Sequence, residues 1–238
     1  MKLEICANSF ESAQAAQVAG AHRIELCQEL ALGGITPSHG LIEKVVEELE
    51  IPVFVLIRPR SGDFTYSYSE FDIMLRDIAF AKAVGCRGIV SGMLNSDFTI
   101  DVERTQKLVT ASSGMDFTFH RAFDWTLDYN VAIQTLKGMG INRILTSGQE
   151  TNVDAGFEKL VEMKNIAGSD FSVMPGGGVN SENIVRFKEA SFTEVHASAS
   201  SFRQSLKHHI PMHNTADLDK DKLRFSDVEK IRGLLKFL

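Results

Sequence analysis

Residues 2–27, KLEICANSFESAQAAQVAGAHRIELC, contain a complete strand–helix–strand unit. Leu3, Ile5 and Ala7 alternate with Glu4, Cys6 and Asn8, the period-two pattern of a strand. Ser9 suits a helix N-cap and Gly20 a helix end. A second alternating run follows at 23–27, where Ile24 and Leu26 oppose Arg23, Glu25 and Cys27.

The same unit repeats to the end of the chain. Further strands are expected at 53–57, 88–93, 117–123, 143–146, 171–174 and 194–200. Helices are expected at 37–49, 69–85, 102–111, 129–138, 155–166, 181–189 and 226–238, with Pro37 in a first turn. Strands alternating with helices imply a parallel sheet covered by helices. Eight units of about 30 residues match a closed (β/α)8 TIM barrel, which takes about 250. An open doubly wound sheet would carry a glycine-rich turn after its first strand, and Ala7-Asn8-Ser9-Phe10 is not one. No shift in composition marks a second domain, so residues 1–238 are expected to form one barrel domain. The connection at about 201–224 is expected to be irregular.

A net charge of −6 argues against a broad nucleic-acid surface or an anionic-membrane surface. No run of about 18 apolar residues suggests a membrane span. Glu4 falls where a signal peptide needs apolar chain, and three widely spaced cysteines are no disulfide framework. These features point to a cytoplasmic, reduced protein. They leave self-association into a homo-oligomer open.

In a barrel, alternate side chains point inward. The helix-facing set must be apolar, so the polar set points in. Glu4, Arg23 and Glu25 lie low on adjacent strands and suit an internal ion-pair network. Arg58, Arg60, His120, Arg121, Asp124, His196 and Ser198 lie at or near the C-terminal strand ends, where barrel active sites are built. His120 and His196 are candidates for acid–base work, with Asp124 and Glu25 as their charge partners. Gly177 and Gly178 precede a helix expected to start near Ser181, so with Arg58, Arg60, Arg121 and Ser198 they are candidates for holding an anion.

No lysine lies near the C-terminal end of a strand, which disfavours a Schiff-base aldolase. No HxH or HExxH pair indicates a hydrolytic zinc site. His208, His209, Met212 and His213 could bind a metal or simply decorate a loop.

The segments LEICANS, HRIELC, GGITPS, IRPRSGDF, FHRAFD, ILTSG, MPGGGV and EVHASAS resemble, in order, the strand-end motifs of the CutC family of copper homeostasis proteins. The resemblance runs from about residue 2 to 200. It implies a cytoplasmic TIM barrel that binds Cu(I), with Cys6 and Cys27 at the positions of that family's proposed copper ligands. Cys86 lies at the opposite mouth and reads as a core residue.

Three functions compete at this stage. One is copper binding. Another is a barrel enzyme acting on a small phosphate- or carboxylate-bearing substrate. The last is an inert scaffold, which would not need so many charges at one mouth.

Overall fold

The computed structural model describes residues 1–204 and 222–238. Eight short parallel strands form one sheet: β1 (Lys2–Ala7), β2 (Arg23–Leu26), β3 (Val53–Leu56), β4 (Gly88–Ser91), β5 (Asp116–Phe119), β6 (Arg143–Thr146), β7 (Ser172–Pro175) and β8 (Glu194–Ala197). Their order is β7-β6-β5-β4-β3-β2-β1-β8. One parallel bridge, Gly176 to His196, brings the two end strands together. A Cβ on Gly176 would lie 2.4 Å from Leu145 Cδ1 and 3.1 Å from His196 Cβ, so a side chain there would hold the seam apart. The result is the nearly closed TIM barrel that the strand–helix alternation predicts.

The covering helices are α1 (Phe10–Ala19), α2 (His39–Glu48), α3 (Tyr68–Ala83), α4 (Val102–Ala111), α5 (Tyr129–Gly138), α6 (Phe157–Ala167), α7 (Ile184–Glu189) and α8 (Val228–Leu235). Most start on a side-chain cap. Ser9 accepts from the Ser12 N–H, and Asp101, Asp128 and Asp227 cap α4, α5 and α8. Ser67 and Glu70 form a reciprocal capping box on α3. Gly20 ends α1 at φ +93, a conformation that costs glycine little.

Several boundaries differ from the sequence reading. Ser38 caps α2, so Pro37 lies just outside that helix. β8 ends at Ala197, and the expected irregular connection instead begins and ends in strands. β9 (Ser200–Gln204) pairs antiparallel with β10 (Lys222–Ser226). Ser226 Oγ donates to the Cys6 carbonyl at 3.3 Å, and Asn8 Nδ2 donates to the Arg224 carbonyl at 3.2 Å. This hairpin therefore rests on the end of β1. The candidate metal residues His208, His209, Met212 and His213 lie outside the described residues.

The outward strand residues Leu3, Ile5, Ile24, Leu26, Val53 and Val55 are buried against the helices. The inward set is mixed. Cys6, Cys27, Phe54, Leu56 and Val90 form a small apolar cluster of their own. Beneath it lies a layer of charge. Arg23 bonds both Glu4 and Glu194. Arg143 pairs with Glu194 at 3.1 Å and Asp116 at 2.9 Å. Both guanidinium groups lie over the Phe54 ring, at 5.0 and 5.2 Å from its centroid. Each buried charge thus has an opposite partner, and each guanidinium also has an aromatic face. The predicted ion-pair network exists, but Glu25 is not in it. In the parallel register Glu4 faces Arg23, while Glu25 faces Cys6 one layer higher.

Replacing Arg23 with Met keeps the stem but removes one of the two cations on Glu4 and one of the two on Glu194. This change should destabilise the fold by about 3–5 kcal/mol, because two buried carboxylates each lose a bonded guanidinium. Urea unfolding at neutral pH measures it.

Candidate functional site at the C-terminal mouth

Two inward layers stand above the charged floor. The lower holds Cys6, Glu25 and His196, with Cys27 at the top of β2. Cys6 Sγ lies 3.4 Å from Cys27 Sγ and 3.7 Å from Glu25 Oε1. All three cysteines are free thiols, and Cys86 is buried in the outer core as expected. His196 Nδ1 meets Glu4 Oε1 at 2.8 Å, so the floor orients this imidazole. Donor atoms of Cys6, Glu25 and His196 all lie within 4.8 Å of one another.

The buried groups shift one another strongly. Burial would raise the Glu4 carboxyl, but Arg23 and His196 overcome it and hold Glu4 near 2. Glu25 has no such cation bonded to it, and burial pushes it up to about 7. The hydrogen bond to Cys27, followed by burial, pushes the Cys6 thiol well above its usual value. Burial opposes charge on His196, yet Cys6, Glu25 and Glu4 outweigh it and favour the imidazolium.

The upper layer opens into a cavity of about 210 Å3. Cys6, Glu25, Arg58, His120, Arg121, Gly177, Gly178, His196 and Ser198 line it, nine of the twelve residues named from sequence. Cys27 is shut off behind Cys6 with no exposed surface.

The other two residues lie elsewhere, and both for the same reason. β3 ends at Leu56, so alternation no longer governs Arg60. Its guanidinium turns outward to Glu70, Asp63 and the Thr65 carbonyl. β5 ends at Phe119, and residues 121–125 form a tight 3-10 turn. Asp124 consequently contacts neither histidine. It accepts from Arg121 Nε at 2.8 Å and from the N–H groups of Ser147 and Gln149 at 3.2 and 3.1 Å, clamping a loop.

His120 is not placed as an ordinary titrating group. Burial, reinforced by the nearby Arg58 charge, pulls it down to about 3. Its Nδ1 accepts the Ala122 N–H at 3.2 Å, so the ring proton sits on Nε2. A neutral donor fits this geometry. Arg58 spends two nitrogens on the carbonyls of Leu32, Gly34 and Gly62. The glycine loop also departs from expectation. α7 begins at Ile184, because Asn180 and Asn183 bond each other across the preceding turn. Gly177 and Gly178 therefore offer backbone N–H groups without a helix directly behind them.

Two contributors escaped the sequence reading, and a third, Glu4, entered it only as part of the ion-pair floor. Glu4 is the direct partner of His196. Phe64 contacts both Arg58 and His120, whose guanidinium carbon and ring centre lie 5.0 and 4.9 Å from its own ring centre. A Cβ on Gly92 would lie 2.7 Å from His120 Nδ1, so that glycine makes room for the ring. A glycine at the end of a strand was the one available signal.

Comparison with known proteins places this mouth in a family. A model of the CutC family matches residues 1–201. The chain belongs to the CutC family. A family protein CutC from Photorhabdus laumondii is 41% identical over 98% of this chain and 97% of its own length. A human protein named copper homeostasis protein cutC homolog is 40% identical over 98% of this chain and 87% of its own. A crystal structure from Streptococcus agalactiae, described as a copper homeostasis protein CutC, is 32% identical with a TM-score of 0.79. It covers 83% of this chain and 98% of the other. A barrel called QR15, an aldolase, has a TM-score of 0.65 over 84% of this chain and 90% of its own, but only 12% identity, so it shares the fold alone. Among the described residues no helix is long and apolar enough to cross a membrane.

Glu25 makes stability depend on pH. Its carboxyl titrates near 7 when folded against an ordinary 4.5, so its favourable term is complete below 4.5 and is lost as pH rises through 7. Glu25→Gln should therefore stabilise the protein at pH 8, on the order of 2 kcal/mol, and leave it unchanged near pH 4. Chemical unfolding at the two pH values checks the difference.

Proposed function

We propose that the protein binds Cu(I) through Cys6 and Cys27 and serves copper homeostasis in the cytoplasm. The observation that carries this reading is the pair of reduced thiols, 3.4 Å apart on neighbouring strands. Metal–thiolate bonds of about 2.3 Å put two sulfurs on one ion no more than about 4.6 Å apart, so the pair needs little movement. Soft sulfur selects Cu(I), and a reducing compartment keeps both partners in the required state. Cysteines are common core fillers, but this pair sits beside an imidazole and a carboxylate. His196 is the third donor in reach of Cys6. Glu25 offers a hard oxygen, which suits Cu(I) poorly. The names of the human and streptococcal relatives support the same direction.

Binding must displace the proton that Cys6 holds, and a proton from His196 if it joins the ion. Affinity should therefore rise with pH, by about tenfold per unit for each proton released. Competition with a chromophoric Cu(I) chelator under anaerobic conditions gives both the affinity and its pH slope. Replacing Cys6 and Cys27 together by Ser should weaken binding by about a hundredfold or more in the same assay. A double variant that holds copper as tightly as the parent would place the metal elsewhere.

A further inference from the structure

Copper accounts for the thiol layer and leaves the upper cavity unexplained. Among the described residues, three buried polar atoms have no hydrogen-bond partner and belong to side chains lining that one cavity: Glu25 Oε2, Arg58 Nε and His120 Nε2. Each of the three residues is only 5% exposed. A buried polar group without a partner costs about 1–3 kcal/mol, so three around one space call for something to bond there.

Their chemistry is divided. Arg58 Nε and His120 Nε2 are donors, and the Phe64 ring supports both side chains. Gly177 and Gly178 line the same cavity at φ +103 and +102, backbone conformations that cost glycine little. Arg121 keeps its Nη1 edge beside Gly177. A Cβ on that glycine would lie 3.3 Å from Nη1, so glycine lets loop and guanidinium approach. These donors suit an oxyanion. Glu25, on a strand three places from that of His120, is the counterpart that meets a polar hydrogen. Leu30, Leu56, Phe64, Leu145 and Val179 complete apolar walls. The volume lies below that of drug-sized pockets and suits a small metabolite.

The geometry points to a binding site for a small hydroxylated organic oxyanion, a phosphate ester or short hydroxy acid, above the thiol pair. The anionic head meets His120, Arg58, Arg121 and the Gly177–Gly178 backbone, and a hydroxyl donates to Glu25. This site does not depend on copper and extends the protein beyond metal binding to a small-molecule ligand. It makes the mouth a candidate substrate pocket.

The test uses the full-length, metal-free, reduced protein and four probes: inorganic phosphate, acetate, glycerol 3-phosphate and glycerate. Calorimetry gives the affinities, and NMR follows the Gly177 and Gly178 amides and the His120 ring proton. At least one hydroxylated probe should bind about tenfold or more tightly than its plain counterpart, because the Glu25 oxygen is then satisfied, and should shift those three signals. Phosphate-ester preference over glycerate, or the reverse, identifies the head group. His120→Phe keeps a ring but removes the donor, and should weaken the preferred probe by about tenfold. The wild-type map stands as the test if that variant does not fold. Absence of binding by all four probes, or shifts confined to other surfaces, overturns the proposal. So does equal affinity for plain and hydroxylated probes.

Discussion

The bond from Glu4 to Arg23 carries the interior of this barrel. Arg23 keeps Glu4 ionised although it is fully enclosed, and Glu4 uses its other oxygen to hold His196. Arg23 also binds Glu194, which extends the same network to Arg143 and across the barrel. Without that cation Glu4 would keep only the imidazole of His196 as a charge partner. A structural ion pair thus sets the position of a group in the layer above it.

The interior is graded along the barrel axis. At the bottom, Arg23 and Arg143 pair with Glu4, Glu194 and Asp116. In the middle, an imidazole and a carboxyl sit beside two thiols. At the top, donors outnumber acceptors and three atoms are left over. Neighbouring carboxylates differ for this reason. Glu4 lies in the first layer with a guanidinium on it, while Glu25 lies one register step higher and is pushed to about 7 by burial.

Within strands the sequence was a reliable guide, because alternation has only two outcomes and an apolar outer face settles which applies. Cys6, Glu25 and His196 follow from it, and Arg58 and His120, within two residues of their strand ends, keep its phase. Farther into the loops the rule lost its basis. Arg60 and Asp124 were assigned by continuing a period that turns had already ended. The paired asparagines 180 and 183 delayed α7, since side-chain-to-backbone bonding competes with a first helical turn. The β9–β10 hairpin was missed because Ser200–Gln204 carries few of the apolar residues that mark a strand. Contacts between distant layers, such as Glu4 with His196, leave no local pattern at all.

The seam of the barrel also has a consequence in time. β1 is flanked by β2, which follows it at once, and by β8, whose paired residues lie 192 positions later. Ser226, which caps the Cys6 carbonyl, comes later still. At about 5–20 residues per second, a ribosome needs on the order of ten seconds or more to supply the second wall. Throughout that interval β1 is an open edge strand and the Cys6 thiol has no enclosure. A sulfur that the finished mouth encloses is therefore among the longest exposed during synthesis, open to oxidation before the barrel exists to guard it.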